Sequence, residues 1–362
     1  MPFIMDPETL ETRGPFSAGG RLKPWDQFLA HTRSDGHNFV GLKLQQGKQT
    51  RLTFMEFDQD MHVLKERSYV APGLIFVHDF VITSDYYIVV ENPIAISVKG
   101  AISVVVGSGV VTDALCPDTR NTRVVLVPRD LTQPMIEIDS KVNFFTFHLG
   151  NAYPSRTNSD EIIIDMCVLP TFAFGNELGF QKDQTEWDCI NEGQAYNELW
   201  QLRVDTKRQT LSMEKPRLRN LDFPKVNPLL DGTGATRYIY AIGPPVNPSI
   251  TKSKPTADLW PAGSVIKVDT VGGTFQQWIP GGGQFVAEAV FAPKPGAFEE
   301  DDGWVIAVVS DAKVKMTSLC ILEAQNLTAG PIARIPLKCF LPLGFHGSFS
   351  QGSSRRQSVS KL

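Results

Sequence analysis

The chain has 362 residues, 42% hydrophobic and 20% charged, with a formal net charge of −4. That is an ordinary globular composition with enough apolar side chain for a sizeable core, and it carries no basic stripe or zinc-finger spacing, which argues against nucleic acid as a partner. The five cysteines, Cys116, Cys167, Cys189, Cys320 and Cys339, are odd in number and never form CxxC; this argues against a disulfide framework or a thiolate zinc site and points to reduced thiols.

In chain order, Met1 to Leu10 (MPFIMDPETL) has neither the basic end nor the long apolar run of a secretory signal. The runs Phe39–Leu42, Tyr86–Val90, Val124–Val127, Glu161–Ile164 and Trp304–Val309 are rich in β-branched and aromatic residues and predict strands. Between the second and third lies Ile94–Val111 (IAISVKGAISVVVGSGVV), the most apolar segment. Lys99 and three glycines interrupt it, so it falls short of the roughly 20 unbroken apolar residues that span a bilayer. It reads either as a pair of buried strands or as an apolar patch, centred on Val104, Val105 and Val106, that dips into one leaflet. The best helical candidate is Glu186–Leu202. The Pro-rich stretch Pro244–Gly263 predicts a long surface loop. Residues 350–362 read as a disordered, basic and serine-rich tail ending in Ser360-Lys361-Leu362, a peroxisomal address when exposed; plastid and cytoplasm are the alternative compartments.

These elements describe an all-β chain with one domain over residues 1–349. So many strands exceed a typical sandwich and suit a propeller or a very large barrel. No repeat signature decides between the two.

The six histidines are His31, His37, His62, His78, His148 and His346. No HExxH or HxH pair occurs among them, and spacing alone leaves the metal question open. Their contexts are more specific: Leu29-Ala30-His31, Phe76-Val77-His78-Asp79-Phe80, Phe145-Thr146-Phe147-His148-Leu149-Gly150-Asn151 and Leu343-Gly344-Phe345-His346-Gly347. In this order they resemble the four metal-ligand motifs of the carotenoid cleavage oxygenase family. Asp6–Thr12 (DPETLET), Phe285–Phe291 (FVAEAVF) and Glu299–Gly303 (EEDDG) agree with the same family. The likeness runs from Met1 to about Phe349.

The resemblance implies a seven-bladed β-propeller, here without its first blades, with a loop cap over iron(II) (Fe2+) on the axis. It implies His31, His78, His148 and His346 as metal ligands, with Glu288 supporting His346 and Asp222 supporting His148. The family has glutamate where Asp222 stands, so a bond to His148 must lengthen or the backbone must adjust. A third family glutamate, serving His78, lies upstream of residue 1. The implied reaction is oxidative cleavage of a conjugated carbon–carbon double bond in a carotenoid or apocarotenoid, with dioxygen supplying both carbonyl oxygens, at a peripheral membrane surface. Phe144, Phe145 and Phe147 are candidate walls of the apolar tunnel, and strand alternation sends at least one of them into the core. Alternatives on the same fold are stilbene-type cleavage, retinyl ester isomerohydrolysis, or an inactive isoprenoid-binding propeller.

Overall fold

Runs such as Tyr87-Ile88-Val89-Val90 lack polar alternation because both faces of their sheet are buried. Tyr87 and Val89 enter one apolar core while Ile88 and Val90 enter another. Val125 and Val127 on the adjacent strand follow the first pair, and Val124 and Leu126 the second. The same logic repeats along the chain. The computed structural model describes residues 1–109, 111–169, 197–214, 218–244 and 262–349.

Within these residues, five antiparallel sheets of blade type follow one another, after a small hairpin of Phe3–Met5 and Thr12–Pro15. The first has a broken leading strand, Gln27–Phe28 and Arg33–Ser34, then Phe39–Gln46, Thr50–Phe57 and Val63–Ala71. The second leads with Ile75–Phe76 and Val81–Ile82, followed by Tyr86–Ile96, Arg123–Pro128 and Ile136–Asp139, with the short Leu115–Pro117 paired to the end of Tyr86–Ile96. The third comprises Leu149–Pro154, Glu161–Val168, Glu198–Asp205 and Thr210–Met213, with the short Leu218–Arg219 also paired to Glu198–Asp205. The fourth comprises Asp222–Lys225, Tyr238–Gly243, Ser264–Asp269 and Thr274–Trp278; the fifth, Gln284–Pro293, Gly303–Asp311, Met316–Glu323 and Pro331–Pro336.

Separate apolar cores fill the spaces between the first and second, second and third, third and fourth, and fourth and fifth sheets. The leading strands also touch in succession, Val81–Ile82 against Leu149–Pro154, that strand against Asp222–Lys225, and Asp222–Lys225 against Gln284–Pro293. Sheets stacked face to face while their leading strands converge are arranged as propeller blades are, so that each sheet covers its neighbour's face. The all-β expectation holds, and each of the five strand runs named from sequence lies in a strand.

Two local expectations fail. Glu198–Leu202, the described end of the helical candidate, is a strand paired with Glu161–Val168; residues 186–196 lie outside the described residues. The three-residue spacing of Leu199 and Leu202 imitated a helix because this strand is also buried on both faces, Leu199 toward the fourth sheet and Leu202 toward the second. The buried-strand reading of Ile94–Val111 is also overturned beyond Ile96. Val98–Val105 is an α-helix, with Ser97 Oγ accepting from Gly100 N at 3.1 Å. It can lie against Asp113 because Gly100 has no side chain: a Cβ there would sit 1.7 Å from the Asp113 carbonyl oxygen. Val98, Ile102 and Val105 share its outer face and are 74%, 58% and 85% exposed. Val106 is exposed as well, whereas Val104 is half-buried. The helix is not long and apolar enough to cross a membrane, nor is any other among the described residues.

Cys116, Cys167, Cys320 and Cys339 are free. Cys189, most of Pro244–Gly263 and the tail with Ser360-Lys361-Leu362 lie outside the described residues.

Candidate metal centre

Strand pairing is interrupted where the histidines occur. His31 lies between Gln27–Phe28 and Arg33–Ser34, and His78 between Ile75–Phe76 and Val81–Ile82. His148 falls between the bridge Phe145–Leu169 and Leu149–Pro154. His346 follows the last strand of the fifth sheet. The structure brings all four together: one ring nitrogen from each lies within 4.8 Å of those of the others. The closest ring pair, His31 and His346, has centroids 4.3 Å apart, and the widest, His78 and His346, 5.6 Å. His31 Nε2 and His78 Nε2 are 3.1 Å apart. His37 and His62 are exposed elsewhere.

The two carboxylates named from sequence come from the leading strands of the fourth and fifth sheets, each beside a register shift. An extra residue in one strand re-aims its side chain. Asp222 Oδ1 accepts from His148 Nδ1 at 2.8 Å and from Phe223 N at 2.8 Å, and its Oδ2 accepts from Asn197 Nδ2 at 2.5 Å. The shorter aspartate therefore reaches its histidine without a lengthened bond. The backbone beside it is unusual: Phe223 has φ +57°, which a bulky residue adopts only under constraint, and its ring packs 4.5 Å from that of His148. Glu288 Oε1 lies 3.4 Å from His346 Nδ1 and accepts from Lys225 Nζ at 2.9 Å, while Oε2 accepts from Gly347 N at 2.6 Å.

Electrostatics divide the set. Burial depresses His31 to about 3, against the pull of Asp79. Burial also depresses His78 to about 4, helped by the neighbouring imidazoles. Both are neutral rings near pH 7, the form that binds metals. Burial works to lower His148 too, but the charge and hydrogen bond of Asp222 outweigh it and hold its pKa above the usual histidine value. Burial would raise Glu288, yet His346, Lys225 and the Gly347 N–H keep it below the usual carboxylate range.

The donor set fits a divalent metal. With Nδ1 of His148 held by Asp222, its Nε2 is buried and has no hydrogen-bond partner. A buried, unpartnered ring nitrogen costs stability unless something occupies it. Carboxylates on the outer nitrogens of two histidines fix tautomer and ring orientation, as ligating histidines require.

The three phenylalanines separate as strand alternation demands. Phe144 belongs to the core between the second and third sheets, which removes it from the tunnel wall. Phe145 is buried and stacks on Phe76 at 5.4 Å. Phe147 is half-buried and sets its ring edge-on to His78 at 5.6 Å and to Phe76 at 5.7 Å. A cavity of about 210 Å³ adjoins His31 and His148 and is bordered by the charged side chains of Arg33, Asp79, Lys225 and Glu288. Sequence reading missed Asn197, Phe223, Lys225, Arg33 and Asp79. Only Asp79, adjacent to His78, carried a positional hint.

Comparison with known proteins gives a consistent answer. The family described as retinal pigment epithelial membrane protein matches residues 1–351. The apocarotenoid-15,15'-oxygenase of Synechocystis sp. is 28% identical over 361 residues, covering 97% of this chain and 69% of its own. Carotenoid cleavage dioxygenase 7 of Oryza sativa subsp. japonica is 25% identical over 419 residues, covering 96% and 67%. The carotenoid 9,10(9',10')-cleavage dioxygenase of Crocus sativus is 29% identical, but the chain spans only 49% of its length. Among solved structures, cobalt-substituted Synechocystis apocarotenoid oxygenase superposes with a TM-score of 0.83 at 25% identity, over 96% of this chain and 70% of that one. Family, relatives and fold coincide over nearly the whole sequence, and the chain belongs to the retinal pigment epithelial membrane protein family, which includes the carotenoid cleavage oxygenases.

Proposed function

We propose that this protein is a non-haem iron(II) dioxygenase that cleaves a conjugated carbon–carbon double bond of a carotenoid or apocarotenoid, R–CH=CH–R′ + O2 giving RCHO and R′CHO. The observation that carries the reading is the convergence of His31, His78, His148 and His346 from four separate segments within 4.8 Å. The cleavage activities of the relatives supply the substrate class.

Iron(II) bound by the four imidazoles would supply the redox chemistry that turns dioxygen toward an electron-rich polyene. The chain's own residues do the rest. Asp222 and Glu288 hold the rings of His148 and His346 in one tautomer, leaving Nε2 inward. Phe76, Phe145 and Phe147 offer an apolar wall beside His78 that suits a flat, conjugated chain and excludes water. No side chain is required as nucleophile or proton donor, because neither product needs a proton.

The five sheets are read as five blades of a seven-bladed propeller, supported by the succession of their leading strands and by the 70% of the solved relative that the chain spans. The outer face of Val98–Val105, with Val106, is read as the surface that meets lipid to collect an apolar substrate. Ser360-Lys361-Leu362 suggests delivery to peroxisomes.

The test is dioxygen-dependent aldehyde formation from a carotenoid panel, with His148→Ala as control and iron measured in both proteins. Loss of product and of iron together in the variant supports the proposal. Equal product from both sinks it.

A further inference from the structure

Arg33 stands two residues beyond His31, yet its side chain is only 10% exposed and turns inward behind the imidazoles. All five of its N–H donors are used. Nε donates to Phe80 O at 2.7 Å. Nη1 donates to Gly150 O at 3.1 Å and to Asp231 Oδ1 at 3.4 Å. Nη2 donates to Asp79 Oδ2 at 2.8 Å and to Leu149 O at 2.8 Å. Asp79 closes the network, accepting from Phe80 N at 2.8 Å and Leu149 N at 3.0 Å.

The positions of these acceptors give the network its meaning. Asp79 and Phe80 directly follow His78; Leu149 and Gly150 directly follow His148. Asp231 arrives on the loop after the leading strand of the fourth sheet, held by Asn151, whose Nδ2 donates to Gly234 O at 3.0 Å and whose Oδ1 accepts from Gly232 N at 3.1 Å. One guanidinium therefore joins the first four sheets at the points where three histidines leave them. Arginine's donors form a rigid planar fork, so they fix directions as well as distances. A lysine in its place would keep the charge but bring three donors on one freely rotating nitrogen.

We propose that Arg33 is a positioning residue that presets the spacing of His31, His78 and His148, so that the site is formed before the metal arrives. This rests on the metal-centre reading above. The alternative is a plain structural latch, which this molecule also contains: Arg129, equally buried, joins the first two sheets through Glu56 at 2.8 Å and Asp35 at 2.7 Å, none of them next to a ligand histidine. Arg129 thus serves as the internal control.

The full chain as wild type, Arg33→Lys, Arg33→Met, Asp231→Asn and Arg129→Met is freed of metal and titrated with cobalt(II), reading the dissociation constant and the visible ligand-field bands, with urea unfolding in parallel. Second-sphere partners of ligating histidines typically change metal affinity by about 10- to 100-fold. The expected result is that loss for both Arg33 variants, with altered bands, and a smaller loss of about two- to tenfold for Asp231→Asn, which keeps the rest of the network should Arg33→Met not fold. Arg129→Met should lose stability but keep the wild-type affinity and bands. The proposal is overturned if the Arg33 and Asp231 variants bind as wild type does, or if Arg129→Met weakens binding as much as they do. Failure of the wild type to bind cobalt(II) at all would instead remove the metal centre itself, and Arg33's role with it.

Discussion

Asp222→Asn separates the charge of this carboxylate from its shape. In the wild type, Oδ1 accepts from His148 Nδ1 and Phe223 N, and Oδ2 from Asn197 Nδ2. An asparagine that keeps its oxygen toward His148 presents an NH2 to Asn197, donor against donor. Asn197 can answer by turning its amide, because its Oδ1 is buried and has no partner. All the bonds are then restored and only the charge is lost. A hydrogen bond to a charged group contributes about 1.5–3 kcal/mol and a neutral one about 0.5–1.5. The difference, about 1–1.5 kcal/mol, corresponds to roughly tenfold in metal affinity. Asp222→Ala behaves differently, since it leaves the His148 and Phe223 N–H groups and the Asn197 amide without an acceptor. At about 1–3 kcal/mol for each buried donor, it should cost at least about 3 kcal/mol of stability. Metal titration and urea denaturation of the three proteins measure both quantities. Equal affinity of wild type and Asp222→Asn would refute the charge argument; equal stability of the Asn and Ala variants would refute the buried-donor argument.

Val105→Asp with Val106→Asp, on the exposed face of Val98–Val105, should abolish sedimentation with liposomes and leave thermal stability unchanged; unchanged sedimentation would dismiss the lipid-facing reading. Gly232 has φ +67°, and a Cβ there would lie 2.4 Å from Ile82 Cγ1, so Gly232→Ala should cost about 2–4 kcal/mol in urea unfolding from backbone strain and overpacking together. Leu126→Ala, in the core between the second and third sheets, should cost about 2–5 kcal/mol without altering metal content. Phe147→Ala should leave metal content unchanged and raise KM for a carotenoid by about tenfold, the loss of one apolar contact surface.

Strands were legible in the sequence for a reason specific to this architecture. Sheets buried on both faces demand uninterrupted apolar residues, and Tyr86–Val90 or Val124–Val127 can hardly be anything else. The same property misled at Glu198–Leu202, where two buried faces left apolar residues three apart. Val98–Val105 misled in the opposite direction. Its three valines and Ile102 favour strands, but Ser97 caps a helix and Gly100 permits its close approach to Asp113. The candidate centre was legible only through the residues flanking each histidine, since the four are brought together by the stacking of sheets and not by spacing. Arg33 left no trace because three of its five acceptors are main-chain carbonyls, which no residue type announces. Asn197 and Phe223 were hidden similarly, one acting through a single amide, the other through a backbone angle.

The wide separation of the four histidines, each in a break between strands or beyond the last strand, bears on how the protein is made. Ligands at residues 31, 78, 148 and 346 cannot all meet until every intervening sheet has docked, so loop closure over almost the entire sequence precedes the complete four-ligand site. Metal capture then reports on finished assembly, and a nascent or misassembled chain would offer the ion only scattered single imidazoles.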